Sequence, residues 1–339
     1  MLGHTLGYLY SGAYSFFLSF LSGFFGVELF FVLSGILIGK LLIQVFEKEN
    51  YTKHLKNFIL RRWFRTLPMY FIALFVYAFG DYFFDAIKNP EVPVWKYFFF
   101  LQNFFEVKPM FFGVSWSLSV EEWFYVLFPF VLFLIKKGKP KISTKSLFVI
   151  AISVFLFYFL FMRFLAFSGS HFSFYEGVRK VAFFRLDSIV FGILMAFVLW
   201  FYPKFISEKK KILFLNGCLI LLLNQYLIFK DNFTHLQYFN TLYYSVLGFG
   251  LMLIFPLFKD LKLKKSFFTK TITKISKISY SLYLVHWLVF KFLEMSYFSE
   301  IPTLVKFILF FLISFLVATF TYQFIEKPFL KFRDKRILH

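Results

Sequence analysis

The chain of 339 residues has a single cysteine, Cys218, so no disulfide can form within it, and the Cys/His spacing of a zinc site is absent. Acidic residues are scarce: 18 Asp plus Glu stand against 38 Lys plus Arg, a formal net charge of +20. There are no internal repeats, no low-complexity tracts and no polar stretch long enough to form a soluble domain. The first residues lack both the basic start and the continuous apolar run of a cleavable signal peptide. Apolar residues fill the chain instead, making up 60% of it, with 61 phenylalanines and a mean hydropathy of +0.71. Soluble domains are about 45–50% apolar. The expectation is therefore one integral membrane domain over residues 1–339.

Segments of about 20 apolar residues can cross a bilayer. Nine such segments lie near residues 24–45, 59–79, 116–135, 146–166, 184–202, 212–229, 238–258, 279–296 and 302–325. They predict an all-α, polytopic helix bundle. Residues 94–105 are too short to span and read as an interfacial or re-entrant piece. Segments 40–65, 136–145, 203–211, 259–277 and 326–339 hold 28 Lys plus Arg, whereas the alternate segments 1–23, 80–115, 163–185, 230–237 and 297–301 hold 8. Loops rich in Lys and Arg stay in the cytoplasm, which puts the C-terminus there and residues 1–23 outside. Charge dispersed in this way lacks the contiguous basic footprint of a nucleic-acid binder, so no nucleic-acid partner is expected. An outward N-terminus without a signal peptide suggests a truncated first helix, with Met1-Leu2-Gly3-His4 as its tail and its beginning upstream.

An ionised side chain in hydrocarbon is costly unless it is paired or faces water, so the polar islands inside these spans hold the candidate functional residues. Gly26-Val27-Glu28-Leu29-Phe30-Phe31-Val32-Leu33-Ser34-Gly35 places Glu28 near the outer end of its span, downstream of His4. A histidine can take a proton from a hydroxyl, and a carboxylate can hold its tautomer, although Glu28 also reads as a snorkelling side chain. Arg61 and Arg65 stand one helical turn apart. That face suits a diphosphate, or simply lipid headgroups, and Arg62 points elsewhere. Glu121 and Glu122 are adjacent, so on a helix they diverge by about 100° and cannot share one site. Trp116 reads as an interfacial aromatic or as a stacking surface for a sugar. Arg185 and Asp187, two residues apart, each need a partner from another helix. His286 falls inside a span, as a packing residue or a functional one, and Pro328 is expected to end the final helix near an interfacial Glu326.

In order and spacing, six stretches resemble the acyltransferase-3 family of integral membrane acyltransferases, which includes bacterial O-antigen acetylases. They are Gly-Val-Glu-Leu-Phe-Phe-Val-Leu-Ser-Gly (26–35), Arg-Arg-Trp-Phe-Arg-Thr-Leu-Pro (61–68), Trp-Ser-Leu-Ser-Val-Glu-Glu-Trp-Phe-Tyr (116–125), Phe-Arg-Leu-Asp-Ser-Ile-Val-Phe-Gly (184–192), Ile-Ser-Tyr-Ser-Leu-Tyr-Leu-Val-His-Trp (278–287) and Phe-Ile-Glu-Lys-Pro (324–328). The resemblance implies ten spans and an essential histidine where His4 stands, preceded eleven positions earlier by a basic residue that falls before Met1. It also implies transfer of an acyl group, typically acetyl from cytoplasmic acetyl-CoA, to a hydroxyl of a sugar at the outer face. On that reading His4, Glu28, Glu121 and Glu122 are catalytic, and Arg61, Arg62 and Arg65 hold the acyl-CoA donor. Trp116, Ser119, Arg185, Asp187 and His286 meet the acceptor, a carbohydrate or lipid-linked glycan. No metal and no tightly bound cofactor is implied, membrane lipids surround the bundle, and a bacterial inner membrane is the expected location. The rival reading is a transporter or flippase of a lipid-linked glycan or small solute, which also buries charges in a bundle.

Overall fold

The computed structural model describes residues 13–84, 92–106, 111–167, 178–230, 238–261, 264, 266–294 and 300–337, with backbone alone at 13–24, 81–84, 228–230 and 239–240. Among them every regular element is helical: α1 Ala13–Phe46, α2 Tyr51–Phe84, α3 Val94–Phe98, α4 Ser115–Gly138, α5 Thr144–Phe167, α6 Asp187–Phe201, α7 Pro203–Lys230, α8 Tyr244–Phe258, α9 Phe267–Leu293, α10 Thr303–Thr321 and α11 Lys327–Ile337. A 3-10 turn, Ala182–Phe184, leads into α6, and π-turns at Phe239–Tyr243 and Tyr322–Glu326 join α8 and α11 to what precedes them.

Seven helical stretches are long and apolar enough to cross a membrane, and the chain is an integral membrane protein. In a bilayer, backbone polar groups must be satisfied internally, and helices do this. Large apolar side chains accordingly point outward, among them Phe75, Phe79, Phe157, Leu215, Leu219, Leu222, Leu316 and Phe320, toward hydrocarbon rather than water. The expected spans at 212–229 and 279–296 also fall on long helices, α7 with 28 residues and α9 with 27. Each begins in a lysine-bearing turn: α7 opens on a proline, whose missing N–H is not needed there, and α9 on a Ser266/Thr269 capping box.

The structure departs from the sequence expectation in three places. Residues 13–23, expected outside the first span, continue α1 upward, because this apolar run carries no stop signal. Pro328 does not end the last helix: the backbone passes through a π-turn, in which the Lys327 N–H reaches back to the Tyr322 carbonyl, and continues as α11. Glu326, expected at the interface, is buried and accepts a 2.8 Å bond from Ser281 Oγ. The short piece at 94–105 does enter the protein. After α3 it turns back with Tyr97, Gln102 and Asn103 buried, and Phe100 takes a left-handed φ of 56°.

One crossing positions the site. A Cβ on Gly35 of α1 would lie 2.1 Å from the Ile189 carbonyl oxygen, and one on Gly192 of α6 would lie 2.1 Å from that of Val32. Gly39 meets Ala196 in the same way, at 2.7 Å. Small residues four apart on both helices let the backbones touch. All three pairings, Gly35 with Gly192, Gly39 with Ala196 and Glu28 with Arg185, share one offset of 157 residues, so the two helices run parallel. The sequence thereby brings Glu28 and Arg185 together two turns before the glycines.

Candidate active site

Two buried ion pairs occupy the lysine-poor end of the bundle. Arg185 Nη2 donates to Glu28 Oε1, linking the turn that enters α6 to α1. Its Nη1 reaches the Arg179 carbonyl at 3.1 Å, and its guanidinium lies 3.6 Å from the ring centroid of Tyr244. Beside it, Arg163 Nη2 of α5 donates to Asp187 Oδ2 at 2.7 Å and to Ser245 Oγ at 2.5 Å, while Ser245 Oγ donates to the same Asp187 oxygen at 2.5 Å. Arg163, Arg185 and Asp187 are fully buried and Glu28 nearly so. The expected partners for Arg185 and Asp187 are thus supplied by two different helices. Five atoms of this tetrad, Glu28 Oε2, Arg185 Nε, Asp187 Oδ1, Arg163 Nε and Arg163 Nη1, have no hydrogen-bond partner among the described residues. Buried polar groups are nearly always satisfied, so these atoms mark where water or a hydroxyl-bearing ligand fits.

The second cluster surrounds the adjacent carboxylates of α4, which diverge as helical geometry requires. Glu121 Oε1 accepts from Tyr125 OH at 2.7 Å, one turn along. That leaves Ser34 Oγ to donate to the tyrosine oxygen at 2.6 Å. Glu122 Oε1 accepts from Thr66 Oγ1 at 2.7 Å, and Glu122 Oε2 has no partner among the described residues. Both carboxylates are buried, and among the described residues neither carries a salt bridge. Arg62 approaches this cluster through an aromatic ring, 5.2 Å from the centroid of Tyr125. Arg61 and Arg65 are exposed on α2, while Arg62 is half-buried and turned inward. Serine 34 lies six residues past Glu28 on α1, about 9 Å along the axis at 1.5 Å per residue, so one helix touches both clusters.

A third group lies where α4 begins. Tyr283 OH donates to the Val114 carbonyl at 2.8 Å and accepts from Ser117 Oγ at 2.5 Å. Nδ1 of His286 lies 2.7 Å from the Tyr283 carbonyl and 3.2 Å from that of Leu282. Carbonyls only accept, so Nδ1 carries a proton. Trp116 is buried edge-on to Phe31 with Arg179 5.4 Å from its ring centroid. Ser119 Oγ donates to the Phe100 carbonyl at 2.6 Å, and Trp123 Nε1 joins it at 3.0 Å, so the left-handed backbone of Phe100 aims its carbonyl at α4. His4 lies outside the described residues.

Sequence reasoning missed several of these residues. Arg163 was counted only among loop charges, although a charge 19 residues into a helix that begins at Thr144 is itself a signal. Thr66, Tyr280 and Ser281 lie inside the stretches 61–68 and 278–287 but have no assigned role there, and Ser245 lies outside all six stretches. Tyr280 OH donates to the Thr66 carbonyl at 2.7 Å, which together with Ser281 ties α9 to both the carboxylate cluster and Glu326.

Comparison with known proteins gives one coherent picture. The family profile described as an acyltransferase domain, acyltransferase-3, matches residues 1–323. An inferred O-acetyltransferase of Staphylococcus aureus strain COL is 30% identical over 340 residues, covering 91% of this chain and 53% of that protein. The O-acetyltransferase OatA of S. aureus strain NCTC 8325 is 28% identical over 339 residues, with the same coverage of 91% and 53%. The chain thus spans about half the length of the curated relatives it matches. No solved structure matches.

Proposed function

We propose that this chain, a member of the acyltransferase-3 family, moves an acyl group, acetyl in the simplest case, from acyl-CoA to a hydroxyl of a carbohydrate across a bacterial inner membrane. The exchange forms an ester C–O bond and breaks a thioester C–S bond, with the acceptor's proton ending on the CoA thiol. One observation carries the reading furthest: on α2 the exposed Arg61 and Arg65 are followed at once by buried Thr66, which binds Glu122. An anion-binding face and a buried carboxylate site are therefore adjacent on one helix. Guanidinium groups one turn apart complement a diphosphate, and they stand at the Lys/Arg-rich end that the charge asymmetry assigns to the cytoplasm.

In this reading Arg61 and Arg65 hold the donor phosphates, and Arg62 steadies the Tyr125–Glu121 pair. His4 takes the proton from the acceptor hydroxyl, and the second oxygen of Glu28, which has no partner among the described residues, orients that histidine. Glu121 or Glu122 positions the sugar, and Trp116, Arg185, Asp187 and His286 line its approach. Ser119 contributes by fixing the Phe100 turn against α4. With α7 and α9 counted as crossings, nine spans leave the C-terminus in the cytoplasm.

The test is acetyl transfer by purified, reconstituted protein from labelled acetyl-CoA to a panel of sugars, with His4→Ala and Arg61→Ala beside wild type. Labelled sugar ester is expected with wild type, little with His4→Ala, and a raised KM for acetyl-CoA with Arg61→Ala. Full activity in either variant removes that assignment. A sugar carried across the membrane without acetyl-CoA consumption supports the transporter instead.

A further inference from the structure

The lysine-bearing start of α9 stands clear of the bundle. Residues 270–277 are all exposed, and the turns from Phe267 to Lys277 rise about 16 Å at 1.5 Å per residue. The Ser266/Thr269 capping box holds them helical, although no described residue covers them. Two stripes with the same 4-3-4 spacing run down this segment. Phe268, Ile272 and Ile275 lead to Ser279, which is exposed, whereas Lys270, Lys274 and Lys277 lead to Ser281, which is buried. The lysine stripe therefore continues the inward face of α9, and the apolar stripe continues the outward face.

That inward face looks onto α2. Ser281 bonds Glu326 at the turn after α10, and its neighbour Tyr280 bonds the Thr66 carbonyl. Farther along, Tyr77 OH meets the Leu284 carbonyl at 3.2 Å. The two contacts advance in the same sense on both helices, so α2 and α9 run parallel. Residues just before Thr66 and just before Tyr280 thus share one end, and the lysines overhang the mouth where Arg61 and Arg65 stand. Their charge is uncompensated. There is no acidic residue in α9, and none of the three lysines forms an ion pair among the described residues. Like charges three and four residues apart on a helix repel, and an anion laid along the stripe relieves that repulsion.

We propose that Lys270, Lys274 and Lys277 recognise a phosphomonoester, the 3′-phosphate of the acyl-CoA donor, beside the diphosphate held at Arg61 and Arg65. The proposal rests on the transferase reading above and assigns the residues that select the donor's nucleotide end. A phosphomonoester carries a charge of about −1.5 to −2 at neutral pH. Three ammonium groups on flexible stems suit it as point charges, whereas the planar forks of arginine suit a diphosphate. Lipid headgroups are the other source of phosphate, but lipid meets the outward face, which carries Phe268, Ile272 and Ile275.

The test compares acetyl-CoA with 3′-dephospho-acetyl-CoA on the full chain in phosphatidylcholine proteoliposomes. For wild type, the KM should be about tenfold higher for the dephospho donor, the equivalent of one lost charge-assisted contact. In Lys270→Gln/Lys274→Gln/Lys277→Gln the KM for acetyl-CoA should rise until the two donors are indistinguishable, and arginine at all three positions should restore the difference. All three side chains are exposed, so these variants keep the fold. Discrimination that survives the glutamines overturns the proposal. So does an equal loss in Lys209→Gln/Lys211→Gln, which removes charge from α7 instead. If the glutamine variant departs from wild type only after phosphatidylglycerol is added, the lysines read lipid and the proposal falls. Calorimetry with adenosine 3′,5′-bisphosphate and adenosine 5′-phosphate needs no transfer. Tighter binding of the bisphosphate, lost in the glutamine variant, with no acetyl transfer to any sugar keeps the nucleotide site and removes the transferase reading. Normal transfer without discrimination by either measure removes the lysine site alone.

Discussion

The two buried clusters hold their carboxylates in opposite ways. At the lysine-poor end Glu28 and Asp187 are each locked to an arginine from another helix, and the glycine crossing of α1 and α6 fixes that geometry. In the α4 cluster Glu121 and Glu122 are held by hydroxyls of Tyr125 and Thr66, with Arg62 kept behind an aromatic ring. A buried ion pair ties helices together, and removing one partner strands a charge. A carboxylate bonded to hydroxyls alone has no fixed cation locked to it, so its second oxygen is not committed to an ion pair. The first cluster is therefore read as a structural clamp between helices, and the second as a pair of carboxylates held by hydroxyls without an ion pair.

The largest expected effect breaks the clamp. Arg185→Ala should lower stability in detergent by about 3–5 kcal/mol, as for a buried pair deprived of one partner. The double variant Glu28→Leu/Arg185→Met should recover most of that loss while leaving acetyl transfer impaired. Equal destabilisation in both variants contradicts a pair that balances its own charges. Next is Gly192→Ala, whose new Cβ meets the Val32 carbonyl. It should cost toward the upper end of the about 1–3 kcal/mol typical of overpacking, visible as a lowered unfolding midpoint.

In the α4 cluster, Tyr125→Phe and Thr66→Val each strand a carboxylate oxygen and should cost about 1–3 kcal/mol, with a fall in kcat exceeding any change in acetyl-CoA KM. A pure stability loss with normal kcat places these carboxylates outside the chemistry. The smallest stability change belongs to Arg65→Ala. Its side chain is exposed, so unfolding should move by less than about 0.5 kcal/mol. Its acetyl-CoA KM should rise about tenfold, the equivalent of about 1.4 kcal/mol.

Local relationships were legible in the sequence, and pairings were not. The divergence of Glu121 and Glu122 follows from helix geometry alone, and so does the need of Arg185 and Asp187 for outside partners. Nothing local reveals that those partners are Glu28 and Arg163, 157 and 24 residues away, because the choice is made by the α1–α6 and α5–α6 packing. Gly35 closes the 26–35 stretch, yet its register against Gly192 required the fold. Glu326 looked interfacial because Lys327 and Pro328 follow it. A π-turn, invisible to hydropathy, rotates it inward onto Ser281. The family resemblance named the reaction class that the profile match bears out, whereas donor, acceptor and residue roles rest on the proposals above.

The most direct measurement places the two substrates on opposite sides of one membrane. Proteoliposomes of known orientation, with labelled acetyl-CoA confined to the side of the Lys/Arg-rich loops and alkyl glucoside on the other, should accumulate labelled sugar ester on the far side, with CoA released on the near side. Ester that forms only when both substrates share a side, or glucoside that crosses unmodified while acetyl-CoA stays intact, contradicts transfer through the bundle.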